Sequence, residues 1–143
     1  MSSESVRNAI KSAVETRAEP WQVFDASDYV SLDDMLRDIS AHSVILQYII
    51  ADERPITVGN GAVHGFEESG TVTIHLVVPT GFDSEPVVQK GDEIRLGLRG
   101  RRLTTDLVIE SCSPFVDFGG GFGVNGSVHG WASNLYYTQH SCD

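Results

Sequence analysis

Thr71-Val72-Thr73-Ile74-His75-Leu76-Val77-Val78, closed by Pro79-Thr80-Gly81, is the stretch that decides the fold of this 143-residue chain. Val72, Ile74 and Leu76 fall on one side of an extended chain, and Thr71, Thr73 and His75 on the other. That is the period of a strand with one covered face. The N-terminal segment carries a matching apolar stripe. Val6, Ala9, Ile10, Ala13 and Val14 fall at i, i+3, i+4, i+7 and i+8, which predicts a helix over residues 3–17 laid across a sheet. Ser3 or Ser5 can cap its start, and Arg17 suits the negative end of its dipole. Strand and helix together point to a single α+β domain.

Working outward from residue 71, Val44–Ala51 is an apolar run rich in β-branched and aromatic residues and is expected to be a strand. Pro55 and then Gly59-Asn60-Gly61 should break the chain. Ala18–Val30, with Pro20, Trp21, Phe24 and Tyr29, reads as an irregular connection with aromatic anchors. Ser31-Leu32-Asp33-Asp34 has the form of a helix start, and Leu32, Met35, Leu36 and Ile39 continue it as a short second helix. Residues 83–98 fit two readings. Val87, Gly91, Ile94 and Leu98 share a helical face, whereas Ile94, Leu96 and Leu98 alternate as a strand would, and Gly91 and Gly97 each cost a helix about 1 kcal/mol. Further on, Leu107–Phe118 reads as a strand bent near Pro114, Gly119–Gly123 as a flexible turn, and Val124–Thr138 as a strand. The two strands are expected to pair as a long antiparallel hairpin.

The length fits one domain, residues 1–143, able to hold a core without staples. Ten basic residues stand against 20 acidic ones, for a formal net charge of −10. Such a field repels nucleic acid and anionic membranes. Cys112 and Cys142 form no disulfide framework, and Cys112 reads as a small core residue. The N-terminus has no signal-peptide pattern, and the longest apolar run, Val44–Ile50, falls far short of a membrane span. The chain is expected to be made and used in the cytoplasm, or carried in a particle assembled there.

Chemistry-bearing motifs are sparse. His42, His64, His75, His129 and His140 include no pair at helical metal-ligand spacing. His75 and His129 both sit in strands and could meet only across a sheet. There is no nucleophile elbow, and the glycines at 119–123 join two strands rather than a strand and a helix, with no Lys after them. The carboxylates are scattered. No catalytic residue, metal or cofactor is expected. Two features point to protein contacts instead. Arg95, Arg99, Arg101 and Arg102 gather four of the ten basic residues into one short segment, and planar guanidinium forks favour carboxylates on a partner. The hairpin around Phe118-Gly119-Gly120-Gly121-Phe122-Gly123 is the second candidate, because projecting hairpins serve docking.

The order of these features resembles the lambda-type tail terminator proteins of long-tailed phages and prophages. The likeness rests on the N-terminal amphipathic helix and on Val78-Pro79-Thr80-Gly81. It also rests on Leu98-Arg99-Gly100-Arg101-Arg102 and on the glycine-tipped hairpin of residues 118–137. It spans residues 4–138 and is clearest from Gly70 onward, with Gly91, Gly97 and the acidic stretch Asp25–Asp38 as departures. The resemblance implies a mixed, mostly antiparallel sheet with two to three helices on one face, and favours helix over residues 84–98. It implies a structural virion protein and no enzyme: a homohexameric ring on the end of the tail tube. Such a ring stops tube growth, joins the tail to head connector or stopper proteins, and lets the genome DNA pass without specific binding. A hexamer would carry about −60 formal charge, which suits that passage. Another head–tail joining protein, or a small-ligand-binding domain or enzyme, are the competing readings.

Overall fold

The computed structural model describes residues 4–29, 41–58, 62–79, 81, 85–122 and 128–141. The short helix expected at 31–39 lies outside them, as do Ser3, Gly123 and Cys142.

The elements in chain order are α1 (Glu4–Ala18), β1 (Gln22–Asp25), a 3-10 turn (Ala26–Asp28), β2 (Ser43–Val58), β3 (Ala62–Pro79), α2 (Glu85–Leu98), β4 (Leu107–Cys112), β5 (Val116–Phe122) and β6 (Val128–Ser141). Among the described residues, six strands form one sheet in the order β1-β2-β3-β6-β4, with β5 also paired to β6. Of these pairings, only that of β1 with β2 is parallel; the others are antiparallel. The fold is therefore α+β with a mixed, mostly antiparallel sheet. β4 and β5 lie end to end along the far edge of β6, so the segment before β6 folds back on it as a hairpin interrupted at residues 113–115. Pro114 accounts for the interruption, since it cannot donate to a ladder.

The alternation at 71–78 holds in three dimensions. Val72, Ile74, Leu76 and Val78 are buried in the main core with Val44, Leu46, Trp131, Leu135 and Tyr137 of the neighbouring strands. The same core takes Val6, Ile10, Val14 and Ala18 from α1, and Val87, Ile94 and Leu98 from α2. Both helices thus cover one face of the sheet. Each large aliphatic side chain buried there contributes roughly 1.5–3 kcal/mol. A second, small cluster of Ile45, Val77 and Val128, with Phe24 and Tyr29 against it, lies on the opposite face.

α2 settles residues 85–98 as helix. Val87, Gly91, Ile94 and Leu98 are buried on one side, while Leu96 is 53% exposed, which a strand face through Ile94 and Leu98 would not allow. The two glycines are there for close approach. A Cβ at Gly91 would stand 2.9 Å from Cδ2 of Phe115 and 3.1 Å from Cδ1 of Leu76, and one at Gly97 would stand 2.8 Å from Nε of Arg17. Gly100 takes φ +66 just past the helix end, and Arg101 donates its amide to the Leu98 carbonyl at 3.1 Å, so the helix is closed by a left-handed residue.

These contacts give Gly→Ala opposite signs at the two sites. Both gain up to about 1 kcal/mol of helix propensity. At Gly97 the half-exposed Arg17 side chain can swing aside, so Gly97→Ala is neutral or stabilising. At Gly91 the ring of Phe115 and the buried Leu76 must move, and overpacking of roughly 1–3 kcal/mol wins. Denaturant unfolding of both variants checks this; destabilisation of equal size at the two positions would count against the packing argument.

Several boundaries differ from the sequence expectation: β3 begins at Ala62 and not at Thr71, and β6 is observed over Val128–Ser141. Ala18–Val30 is not wholly irregular: Gln22–Asp25 pairs in parallel with Ser43–Leu46, an extension of the sheet that four residues cannot announce by periodicity. β2 runs through Pro55 instead of ending before it. β1 covers β2 only as far as Leu46, so Pro55 sits on an edge where no strand partner needs its amide. Gly119–Phe122 belong to β5 and not to a turn. Gly119 pairs with Gly130 and Phe122 with Val128, with register shifts on either side of Gly119. Glycines accommodate such bulges at little steric cost.

Candidate assembly interface

The arginine segment lies where α2 hands over to β4. Arg95 Nε donates to the Cys112 carbonyl at 3.0 Å, which ties the last turn of α2 to the end of β4. The chain then turns at Gly100 and runs back along β4: Ile109 donates its amide to the Arg101 carbonyl at 2.8 Å, Arg102 bridges Val108, and Leu103 donates to the Leu107 carbonyl at 2.9 Å. Arg102 is spent locally, donating from Nη1 to the Thr105 carbonyl at 2.6 Å. Arg99 and Arg101 are exposed and, among the described residues, their guanidinium groups have no hydrogen-bond or ion-pair partner. An open groove of about 420 Å³ runs here between Arg95, Arg99 and Gly100 on one side and Glu110, Ser111 and Cys112 on the other. The structure thus brings Arg95 and Arg99 to one rim, sets Arg101 just past it beside β4, and commits Arg102 to its own loop.

The hairpin of residues 118–123 is placed at one end of the sheet. Phe118 is 58% exposed at a register shift in β5, and Val116 beside it is 61% exposed. Gly119, Gly120, Gly121 and Phe122 form the rest of β5; Gly123 lies outside the described residues. At its base, His129 Nε2 meets Asp117 Oδ1 at 2.7 Å, and the His129 ring stacks on Trp131 with centroids 4.4 Å apart. The pair joins β5 to β6. β2 and β3 project as a second hairpin from the opposite end of the sheet, since Pro55↔Phe66 and the pairs beyond it outrun all but the last residue of β6.

Between the hairpins, the sheet face away from the helices is a lattice of polar pairs with apolar side chains among them. Thr73 meets Asn134 at 3.0 Å, His75 meets Gln47 at 3.0 Å, and Thr138 donates to Glu110 at 2.8 Å. Ile49 and Tyr136 are 51% and 45% exposed beside them. Burial holds the His75 ring below the ordinary histidine range. The register pairs His75 with Ala132 and His129 with Val78, on opposite faces of the sheet, so the two histidines do not meet. Among the described residues, no group of three His, Cys, Asp or Glu is placed to hold a metal ion, and no helix is long and apolar enough to cross a membrane.

One polar cluster went unseen in the sequence. Arg7 of α1 pairs with Asp25 of β1 at 2.7 Å, lies over the Tyr48 ring at 5.0 Å and contacts the Ser27 hydroxyl. Tyr48 returns a hydrogen bond to the Arg7 carbonyl at 3.1 Å. Asp25 also accepts from the Ser27 amide and hydroxyl at 2.9 and 2.7 Å. Burial, the largest influence on Asp25, pushes its carboxyl up; the Ser27 hydrogen bonds and the Arg7 guanidinium together pull it below its ordinary value. Burial likewise raises the Tyr48 phenol and the Cys112 thiol. The cluster ties α1 to β1 and β2. No spacing signal links residues 7, 25 and 48.

No protein-family model and no curated protein matches this sequence. A solved structure that goes by a serial identifier instead of a functional name is similar over 100% of this chain and 99% of that chain, with a TM-score of 0.58 and 13% identity. That likeness shows the fold alone.

Proposed function

We propose that this chain is a structural ring subunit of a long-tailed bacteriophage: the tail terminator, which closes the end of the tail tube and presents a surface to the head connector or stopper protein. The observation that carries the reading is the sheet face left uncovered by the helices, where Ile49, Tyr136 and Val116 stand exposed among hydrogen-bonded polar pairs. A solvated sheet face is ordinarily polar, and large apolar side chains gathered on one are what a contact with a neighbour would cover. A subunit keeps it for neighbours. The hairpins projecting from opposite ends of the same sheet fit this role, because contacts in a ring join two unlike patches on each copy. The acidic net charge fits a passage through which DNA slides without adhering. The order of sequence features from Gly70 onward supports the terminator reading. Catalysis has no part in the proposal.

Deleting the gene from its phage tests it. Electron micrographs of lysates should show filled heads beside unattached tails longer than those of the parent. Tails of parental length joined to heads would remove the terminator reading; tails of parental length left unattached would point to a joining protein that does not set length.

A further inference from the structure

The β4 part of one sheet edge and the Asp52–Pro55 part of the other differ in charge, and both are built against strand addition. Along β4, outer backbone groups are occupied by Arg95 and by residues 101–103, so that part of the edge offers guanidinium groups instead of a free ladder. On the β2 side, the strand has no neighbour among the described residues beyond Leu46, and its edge reads Asp52-Glu53-Arg54-Pro55. Charges and proline on an edge block pairing by backbone. Arg54 is committed to Glu67 at 2.6 Å, which leaves the exposed carboxylates of Asp52 and Glu53 with no partner among the described residues. The register sets Asp52 level with Ser69, Thr138 and Val108, and Glu53 level with Glu68, Gln139 and Leu107, straight across the sheet. Free carboxylates therefore stand on one edge, and free guanidiniums on the other, at about the same height.

We infer that the Asp52–Glu53 edge of one copy docks against the groove of Arg95 and Arg99, and the adjoining Arg101, on the next. The contact is made by side chains, as guanidinium forks on carboxylates, and not by strand addition. Its occupant is a second copy of this chain, chosen by charge complementarity: the groove carries Arg95 and Arg99 against one carboxylate, Glu110, which already accepts from Thr138, and so is a basic exception on an acidic molecule whose level acidic edge lies opposite. Since the two patches are different and sit on opposite edges, the contact propagates head to tail, the geometry of a ring or a filament. The inference rests on the ring reading for having a second copy as neighbour, and adds which surfaces meet.

The test uses the full chain and two double reversals, Arg99→Glu with Arg101→Glu, and Asp52→Arg with Glu53→Arg. All four side chains are exposed, and thermal melts confirm that each variant folds. Sedimentation and native mass spectrometry at low salt read association. The wild type should associate, and weaken as salt rises. Each reversal alone should lose at least about tenfold in association constant, by like-charge repulsion across the seam. Mixing the two reversed proteins should restore assembly, because both of their seams are then complementary. A wild type that stays monomeric to its solubility limit overturns the inference. So does assembly that neither reversal disturbs. Loss with the arginine reversal alone, without rescue on mixing, overturns the acidic edge as occupant while leaving a ring intact. The deletion phenotype speaks to the terminator reading separately.

Discussion

Replacing Ile74 by alanine lowers the stability of the domain by about 3–4 kcal/mol and its thermal midpoint by roughly 10 °C. Ile74 is fully buried in the main core, and its strand, β3, is flanked by β2 on one side and β6 on the other. Removing its outer carbons forfeits their transfer energy and leaves a cavity. The wall of that cavity is slow to collapse, because hydrogen-bonded strands hold it from both sides and two helices close it above. The neighbouring Thr73 is the control. It points to the open face, is half-buried and meets Asn134 at 3.0 Å, so Thr73→Ala should cost under about 1 kcal/mol. Urea unfolding of both variants decides. Equal losses at 73 and 74 would mean that the two faces of β3 are not as unlike as the fold has them.

Asp25→Ala should cost about 3 kcal/mol, near the lower end for breaking a buried ion pair, since the Arg7 and Asp25 side chains are 21% and 10% exposed. The loss is mostly the penalty of leaving partners behind: the Arg7 guanidinium over Tyr48, and the Ser27 amide and hydroxyl. The same site sets part of the acid response. The folded-state value of Asp25 lies below its unfolded one, so the unfolded chain takes up the proton first as pH falls. Its contribution is complete above the ordinary carboxylate value of about 4 and disappears as pH falls through the folded-state value. Stability measured from pH 6 downward should therefore fall less steeply in Asp25→Ala than in the wild type. Parallel curves would show that the pair carries no linked proton.

What the sequence disclosed follows from the range of the forces involved. The β3 alternation and the α1 stripe are set by local period, and both are visible in a dozen residues. The helix at 85–98 was open to two readings because Gly91 and Gly97 look like helix breakers until Phe115 and Arg17 are seen against them. β1 was hidden because the strand it pairs with among the described residues begins at Ser43, far along the chain. The arginine segment was legible as a run of like charge, but the local use of Arg102 was not. The acidic edge it faces in the proposed seam was missed altogether: Asp52 and Glu53 become an edge only because β1 stops pairing at Leu46. Nor did anything near Gly119 distinguish a turn from a strand, since the pairing depends on where β6 begins.

The place of β6 in the sheet has a consequence for how the chain reaches its native state. β6 is translated after the other five strands, yet it lies in the interior of the sheet, between β3 on one side and β4 and β5 on the other. Its pairing with β3 joins residues as far apart as Phe66 and Ser141, so it closes a large loop and is intrinsically slow. Until β6 arrives, β3 has a bare edge and β4 and β5 have no strand to lie on. A nascent chain that has left the ribosome up to β5 is thus an incomplete, adhesive intermediate, for which chaperones compete with aggregation. Completion of the sheet therefore waits for the arrival of one central strand.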